Sequence, residues 1–527
     1  MSAGDAQDGQ GLPVGTVLGY AGGLPGDLFE LGWLHCDGTT RLGDEYGELY
    51  QAIGYAFGVK SVTRKEFFLP DLRGMFVRAT CQDQAKRDKR DPEWRERRAL
   101  MEGGNIGASV GSYQGYGTAK PRNAFKATIS ELDISRRNDA AGCGTNPASY
   151  DGSITDQPAL TGGDVETRPN NKYCHFIIKS AALTKAGKPV IPPPGAVIAF
   201  AGRSGGRPPA KAEWEFCNGR QLSRIGEFAQ LYEAIRYAHG GGGNDFRLPD
   251  YQGWFQRGVS GSSTADPDRN DRPEAAPGGN KGNSVGSRQD WATALPAPPG
   301  KPATGKFEHL PTRNQGKLTD SIGPRLARLN DGSVTVTLNL GTSGDAETRP
   351  ENLSANFYIR SQEGTQAFPI GGIIMTGTDL PEGQTWMRCD GRHLKQATYR
   401  ALYDVIGGLY GSNEEEDTFA LPDYGARFLR GASGNTGTDP DARSRLALGD
   451  GDPGDIASLQ LYATAPPRKE FVVSIKHLPT STVTTGGGAR TGAAAANGGK
   501  TVDPWDSGGN GDTRPVNVYL SFYIRVT

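Results

Sequence analysis

A chain of 527 residues has room for three or four domains at roughly 150 residues each. Its 58 lysines and arginines nearly cancel 59 aspartates and glutamates, and the net charge of −1 excludes a bulk electrostatic hold on nucleic acid or an anionic membrane. Glycine at 76 and proline at 35, beside 35% hydrophobic residues, exclude a long helical bundle or coiled-coil shaft and fit short strands joined by many turns.

The first ten residues, MSAGDAQDGQ, have neither the basic flank nor the apolar core of a Sec signal peptide. No apolar run approaches the roughly 20 residues that cross a bilayer, and the longest, such as Ala196–Ala201, are strand-sized. The expectation is a soluble chain made in the bacterial cytoplasm without a signal peptide. It would not insert in a membrane, and it would leave the cell by lysis or through a separate machine.

The first predicted element is an apolar strand opened by a turn, PVGTVLGYAG from Pro13, and it recurs as PGAVIAFAG from Pro194 and PIGGIIMTG from Pro369. Next comes Trp-x-x-Cys and a glycine turn: WLHCDG (Trp33, Cys36), WEFCNG (Trp214, Cys217) and WMRCDG (Trp386, Cys389). A two-turn helix follows in YGELYQAIGYAFG, FAQLYEAIRYAHG and YRALYDVIGGLYG. Its apolar stripe is Leu49/Tyr50/Ile53, repeated as Leu231/Tyr232/Ile235 and Leu402/Tyr403/Ile406, and each helix runs into a glycine that can end it. The fourth element holds Pro70-Asp71, Pro249-Asp250 and Pro422-Asp423 in FFLPDLRGMFVRA, FRLPDYQGWFQRG and FALPDYGARFLRG. Proline there marks a strand end, and the aspartate can cap its own turn. A glycine-rich segment beginning Asp-Pro follows, and each copy closes on Thr-Arg-Pro and an alternating strand, with the arginines at Arg168, Arg349 and Arg514.

These blocks divide the chain into repeats at 12–180, 192–361 and 368–527, joined by short linkers that hold neighbours close. The fold class expected is mainly β with short helices (α+β), as three tandem repeats with long glycine-rich loops.

The set Gly-x-(apolar strand), Trp-x-x-Cys-Asp-Gly, the YxxLYxxIG helix, F-x-LPD-[LY]-x-G-x-F-x-R-G and TRPxN-(strand) resembles the phage tail collar domain, a module of short tail fibres and tail-fibre tips. The DP-[DE]-x-R…GGN-x-G-x-(S/A)-V-G-S-x-Q segment adds to the likeness. The resemblance implies a structural, non-enzymatic virion component of a phage tail or related contractile injection particle, with no cofactor. Its implied partners are other tail or baseplate proteins and a host-surface receptor, a glycan or lipopolysaccharide. It also implies self-association as a homotrimer, in some relatives around a metal held by a His-x-His pair. Here that region keeps one histidine in the second repeat (His309), one in the third (His477), and Glu131 and Asp133 in the first, so no metal site is expected.

Each motif has a bland reading beside a chemical one. Trp33, Trp214 and Trp386 could stack sugars, but recurring beside a buried-type cysteine they read as core anchors. Asp71, Asp250 and Asp423 could pair with Glu166 or Glu347 as glycosidase acids; the third repeat lacks that glutamate, and turn capping explains the aspartates. Arg168, Arg349 and Arg514 could read an anionic ligand, yet a fork onto loop carbonyls or carboxylates would equally fix the last strand. The charge run Lys86–Arg98 interleaves acids with bases and reads as a solvated loop. The six cysteines show no metal spacing and read as reduced, and no nucleophile motif appears. A polysaccharide depolymerase therefore remains a remote alternative.

The segments at about 81–163, 260–344 and 433–511 are the candidate recognition surfaces, with packing against neighbouring tail proteins weighed equally. A baseplate or hub protein without receptor contact is the alternative function. Two assemblies are geometrically open: one chain closing its repeats into a pseudo-threefold ring, or three chains stacking their repeats as successive trimers. Family habit, the eroded Gly449–Asp455 stretch and the missing glutamate of the third repeat favour the stack.

Overall fold

The apolar run after each opening turn becomes a five-residue strand, Thr16–Tyr20, Ala196–Phe200 and Gly372–Thr376, buried on both faces except at Met375. The computed structural model describes residues 11–118, 127–129, 132–133, 150–154, 159–162, 167–202, 213–293, 305–310, 312–313, 334–339, 348–350, 352–362, 368–381, 383, 385–433, 436–453, 455–465, 471–475, 500–502, 513–515 and 517–527. The protein is mainly β with short helices, in three similar repeats.

The opening strands pair with one another in a closed cycle. Gly19 and Tyr20 face Val197 and Ala196, Ala199 and Phe200 face Ile373 and Gly372, and Met375 and Thr376 face Val17 and Thr16. The same two-residue register returns at each step, so the three repeats surround a pseudo-threefold axis within one chain. This is the first of the two arrangements open from sequence: the positions around the axis are filled within one chain. The drift between repeats, which pointed to independent layers, is tolerated here because the axial contacts run through backbone and small or apolar side chains.

The closing strands Asn171–Lys179, Asn352–Arg360 and Asn517–Arg525 explain how the ring is held. The second half of each pairs antiparallel with its own opening strand, as in Val17↔Ile178. The first half crosses into the next repeat. Asn171–Cys174 runs parallel to Phe255–Gly258, Asn352–Ala355 to Phe428–Gly431, and Asn517–Leu520 back to Phe76–Ala79. Each repeat is therefore completed by its predecessor's last strand.

Two cores lie on either side of these strands. Towards the linkers, Trp33, Trp214 and Trp386 are buried with Leu18, Ile198 and Ile374. The indole N–H of Trp33 donates to the carbonyl of Ile191 in the first linker at 2.9 Å, and Phe368 of the second linker lies between Trp214 and Trp386. Towards the helices Gly47–Ile53, Ala229–Ile235 and Arg400–Ile406, Leu49, Leu231 and Leu402 are fully buried with Cys36, Cys217 and Cys389. On the axis, Phe76, Phe255 and Phe428 meet as a separate buried trio.

The helix ends differ from expectation in one repeat. Gly54 and Gly407 stop the first and third helices at φ 49° and 52°, but the second stops on Arg236 at φ 48°, with its glycine only at Gly240. A side chain in that left-handed region is strained by about 1–3 kcal/mol. Arg236→Gly is expected to stabilise the protein by about 1 kcal/mol after the added chain entropy is subtracted, read as a higher midpoint in urea unfolding.

Among the described residues, the short strands of the distal segments pair between repeats, in sheets separate from the core strands. Ala127–Ile129 of the first lies between Val334–Asn339 of the second and Lys500–Val502 of the third. Phe471–Ile475 of the third lies between Val334–Asn339 and Ala159–Gly162 of the first. Gly305–Leu310 of the second pairs with Tyr150–Ile154 of the first.

Candidate functional site

The joints between repeats carry dense, buried polar clusters. At the first joint Asp266, fully buried, lies 3.4 Å from Arg257 and 3.0 Å from Arg272, both also fully buried. Gln289 Oε1 accepts from both guanidiniums, at 3.1 and 2.6 Å, while its amide donates to Asp266 at 3.2 Å. The preceding repeat supplies the rest. Asn171 Oδ1 accepts from Arg272 at 2.8 Å, the Tyr173 hydroxyl donates to Asp266 at 2.5 Å, and Arg272 lies flat over the Tyr173 ring at 3.5 Å.

The other joints repeat this arrangement with Asp439, Arg430, Arg445, Gln460 and Asn352, and with Asp91, Arg78, Arg97, Gln114, Asn517 and Tyr519. Only Ser354 departs, standing where the others have tyrosine and bonding Ser458 instead. The Asp-Pro and Ser-x-Gln motifs thus belong to one buried cluster, and sequence reading noticed them without assigning a role. The signal available was their recurrence: an Asp, an Arg six residues on, and a Ser-x-Gln whose Gln follows the Asp by 23, 23 and 21 residues in the three repeats.

Burial pushes the Asp91 carboxyl up, but Arg78 and Arg97 pull it further down, to about 2. Asp266 and Asp439 are lowered in the same way by their arginine pairs against burial. Burial lowers Arg272 and Arg445 only to about 10, so both stay cationic at neutral pH.

The arginines of Thr-Arg-Pro sit at the same joints. Arg168 reaches Asp268 of the next repeat at 2.8 Å, Arg349 reaches Asp441 at 2.7 Å, and Arg514 reaches Glu93 at 2.5 Å. Each Nε also donates to a carbonyl of the next repeat: Asp290, Leu461 and Gly115 respectively. All three guanidiniums are therefore occupied by protein groups. Thr118, Thr293 and Thr464, where the distal segments leave, are bonded hydroxyl to hydroxyl with Thr167, Thr348 and Thr513, where they return, at 2.5 Å each.

The aspartates after Pro70, Pro249 and Pro422 cap turns. Asp71, Asp250 and Asp423 each accept the backbone N–H two residues on, at 3.2, 3.1 and 3.2 Å. Each of these turns pairs with the Asp-Gly or Asn-Gly turn beside the cysteine. Gly38, Gly219 and Gly391 are required there: φ is +72° to +82°, and a Cβ would meet the aspartate Cβ at 2.9–3.0 Å. Glu166 and Glu347, named as acid partners, lie outside the described residues, as do Glu131 and His477 and the side chains of Asp133 and His309. Burial pushes the thiols of Cys36, Cys217 and Cys389 well above the usual range, so they are protonated structural groups. Cys143 lies outside the described residues.

Two readings of the polar segments change. The run Lys86–Arg98 is not a solvated loop. Gln84–Arg90 is a helix capped by Asp83, and Arg97 is wholly buried because Asp91, Gln114 and Asn517 satisfy its charge. The first thirty or so residues of each candidate recognition segment likewise fold into the joints, and the distal portions lie in sequence between the threonines of each pair.

Acid should weaken these joints in two steps. Burial holds His239 at about 4, below its ordinary 6.5, with Nε2 donating to the Ala21 carbonyl across a joint at 2.8 Å. The unfolded chain takes up that proton first, so stability falls as pH drops from 6.5 towards 4; below pH 4 the unfolded chain also protonates the aspartates that the joints hold ionised, and stability falls further. Thermal melts from pH 7 to pH 3 should show both steps, and His239→Gln should reduce the upper one, leaving the share of His175, which burial lowers to about 3.

Comparison with known proteins follows this geometry. The model of the phage tail collar domain matches residues 15–77, 195–256 and 371–429. Protein RhiB of Rhizobium leguminosarum bv. viciae is 36% identical over 147 residues, 27% of this chain and 65% of that protein, so the chain spans less than two thirds of RhiB. The StfE protein of Escherichia coli (strain K12) is 27% identical over 195 residues, 33% of this chain and 91% of that protein. Each matched stretch runs from an opening strand to the strand that carries the joint arginine, and the joints and distal segments follow it. The chain thus carries three tandem stretches that match the phage tail collar domain, one in each repeat of a closed cycle.

Proposed function

We propose that this protein is a non-enzymatic tail-fibre or tail-tip component of a phage or phage-like contractile particle, and that its distal segments contact a host-surface glycan or lipopolysaccharide. The observation that carries the reading is the division of labour along the chain. Three collar-matched repeats form a closed ring, and the described strands of the distal segments, which lie between the threonine pairs in sequence, pair between repeats in sheets of their own. Segments so held are rooted on a rigid scaffold, which suits recognition. The test is adsorption of the purified full chain to susceptible cells and to their extracted lipopolysaccharide, and competition with the particle. Failure of the protein to bind, with particles lacking it adsorbing normally, would refute the reading.

A structural baseplate or hub role is favoured by one observation, the folding of the proximal segments into joints rather than outward. Cryo-electron microscopy of the particle separates the two, since a hub lies within the tail and a tip projects from it. The closed cycle of opening strands supports a single-chain ring rather than a homotrimer, and light scattering should then return 56.1 kDa, the mass of one chain.

A further inference from the structure

Two of the three joints are bridged covalently, because linkers join the first repeat to the second and the second to the third. The joint from the third back to the first has no such bridge, although its strand pairing and buried cluster match the others. Whatever else holds it must come from contacts the other joints lack.

The first repeat has an addition at this place. From the joint arginine to the joint aspartate it runs from Arg78 to Asp91, four residues longer than Arg257 to Asp266 or Arg430 to Asp439. The longer stretch contains the helix Gln84–Arg90, which has no counterpart among the described residues of the other two segments. It lies over the Asp423 turn of the third repeat. Lys86 Nζ reaches Asp423 Oδ2 at 2.9 Å and the Asp390 carbonyl at 3.0 Å. Arg90 grips both Asp423 oxygens, at 3.1 and 3.0 Å, and the Gly425 carbonyl at 2.9 Å. Before the helix, Gln82 donates to Asp379 at 3.1 Å and Thr80 bonds Ser521 at 2.8 Å, both across the seam.

The equivalent turns elsewhere are served differently. Asp71 is paired with Arg73 of its own repeat, which crosses its seam only by a bond to Ser262 at 3.0 Å. Asp250 caps its turn through the N–H of Gln252, and across its seam only its backbone carbonyl, not its carboxylate, accepts from Lys172. A bidentate arginine with a lysine on one half-buried carboxylate is the stronger arrangement. It occurs at the seam that lacks a linker.

We propose that the helix Gln84–Arg90 is a latch that holds the last repeat against the first and keeps the ring closed. Hydrogen–deuterium exchange on the full chain tests this. In Lys86→Ala/Arg90→Ala, amides of 76–79 and 517–520 should exchange about tenfold faster, while 255–258 and 171–174 keep their rates. Asp423→Asn should give a smaller change at the same amides, and Arg73→Ala at the linked seam should leave them unchanged. Unchanged exchange at 76–79 and 517–520, or equal acceleration at all three joints, would overturn the proposal.

Discussion

Asp266→Ala is expected to cost about 3–5 kcal/mol and to open the joint between the first and second repeats. The substitution leaves Arg257 and Arg272 facing each other, fully buried, with no carboxylate between them. Gln289 and Asn171 can accept hydrogen bonds but carry no charge to offset two cations. The Tyr173 hydroxyl loses its acceptor as well. Buried ion clusters add little net stability when whole, so the loss reflects uncompensated charge rather than the worth of the pairs. Urea unfolding checks the size of the effect, and exchange of the 171–174 and 255–258 amides checks its place. A companion Asp439→Ala should behave alike apart from the tyrosine term, because Ser354 makes no bond to Asp439.

Phe255→Ala is the second large effect, at about 3–5 kcal/mol, as for a phenylalanine removed from a closed core. Phe76, Phe255 and Phe428 fill the axis alone, and each ring carries an arginine of a neighbouring repeat over it: Arg430 lies 5.1 Å from the Phe255 centroid. The cavity would sit where three repeats meet, and relaxation towards it would disturb all three joint clusters at once. Calorimetry should show a lower transition temperature, whereas Phe255→Leu should lose less than half as much. An unchanged transition in the alanine variant would show that the axis is not a shared core.

Much of the fold was legible because it is written three times. Trp33, Trp214 and Trp386 at one place in each copy had to share an environment, and so did the turn aspartates. Fold class and repeat number follow from such recurrences. What sequence could not show is which copy completes which. Asn171 and Phe255 are distant in the chain and belong to different copies, and nothing in either motif states that one pairs with the other. Shared burial also hid the role of Arg97, whose partners Asp91 and Asn517 are drawn from opposite ends of the chain. The helix Gln84–Arg90 was obscured for another reason: a run of alternating charges looks the same on solvent as on a complementary carboxylate.

The crossing of each closing strand into its neighbour sets the copy number of this gene product. A fragment cut at residue 180 or 361 does not release an intact repeat, because it takes away the strand that finishes the following one. Loss of one copy by recombination would leave two units bent for a circle of three, and a fourth copy would find no gap.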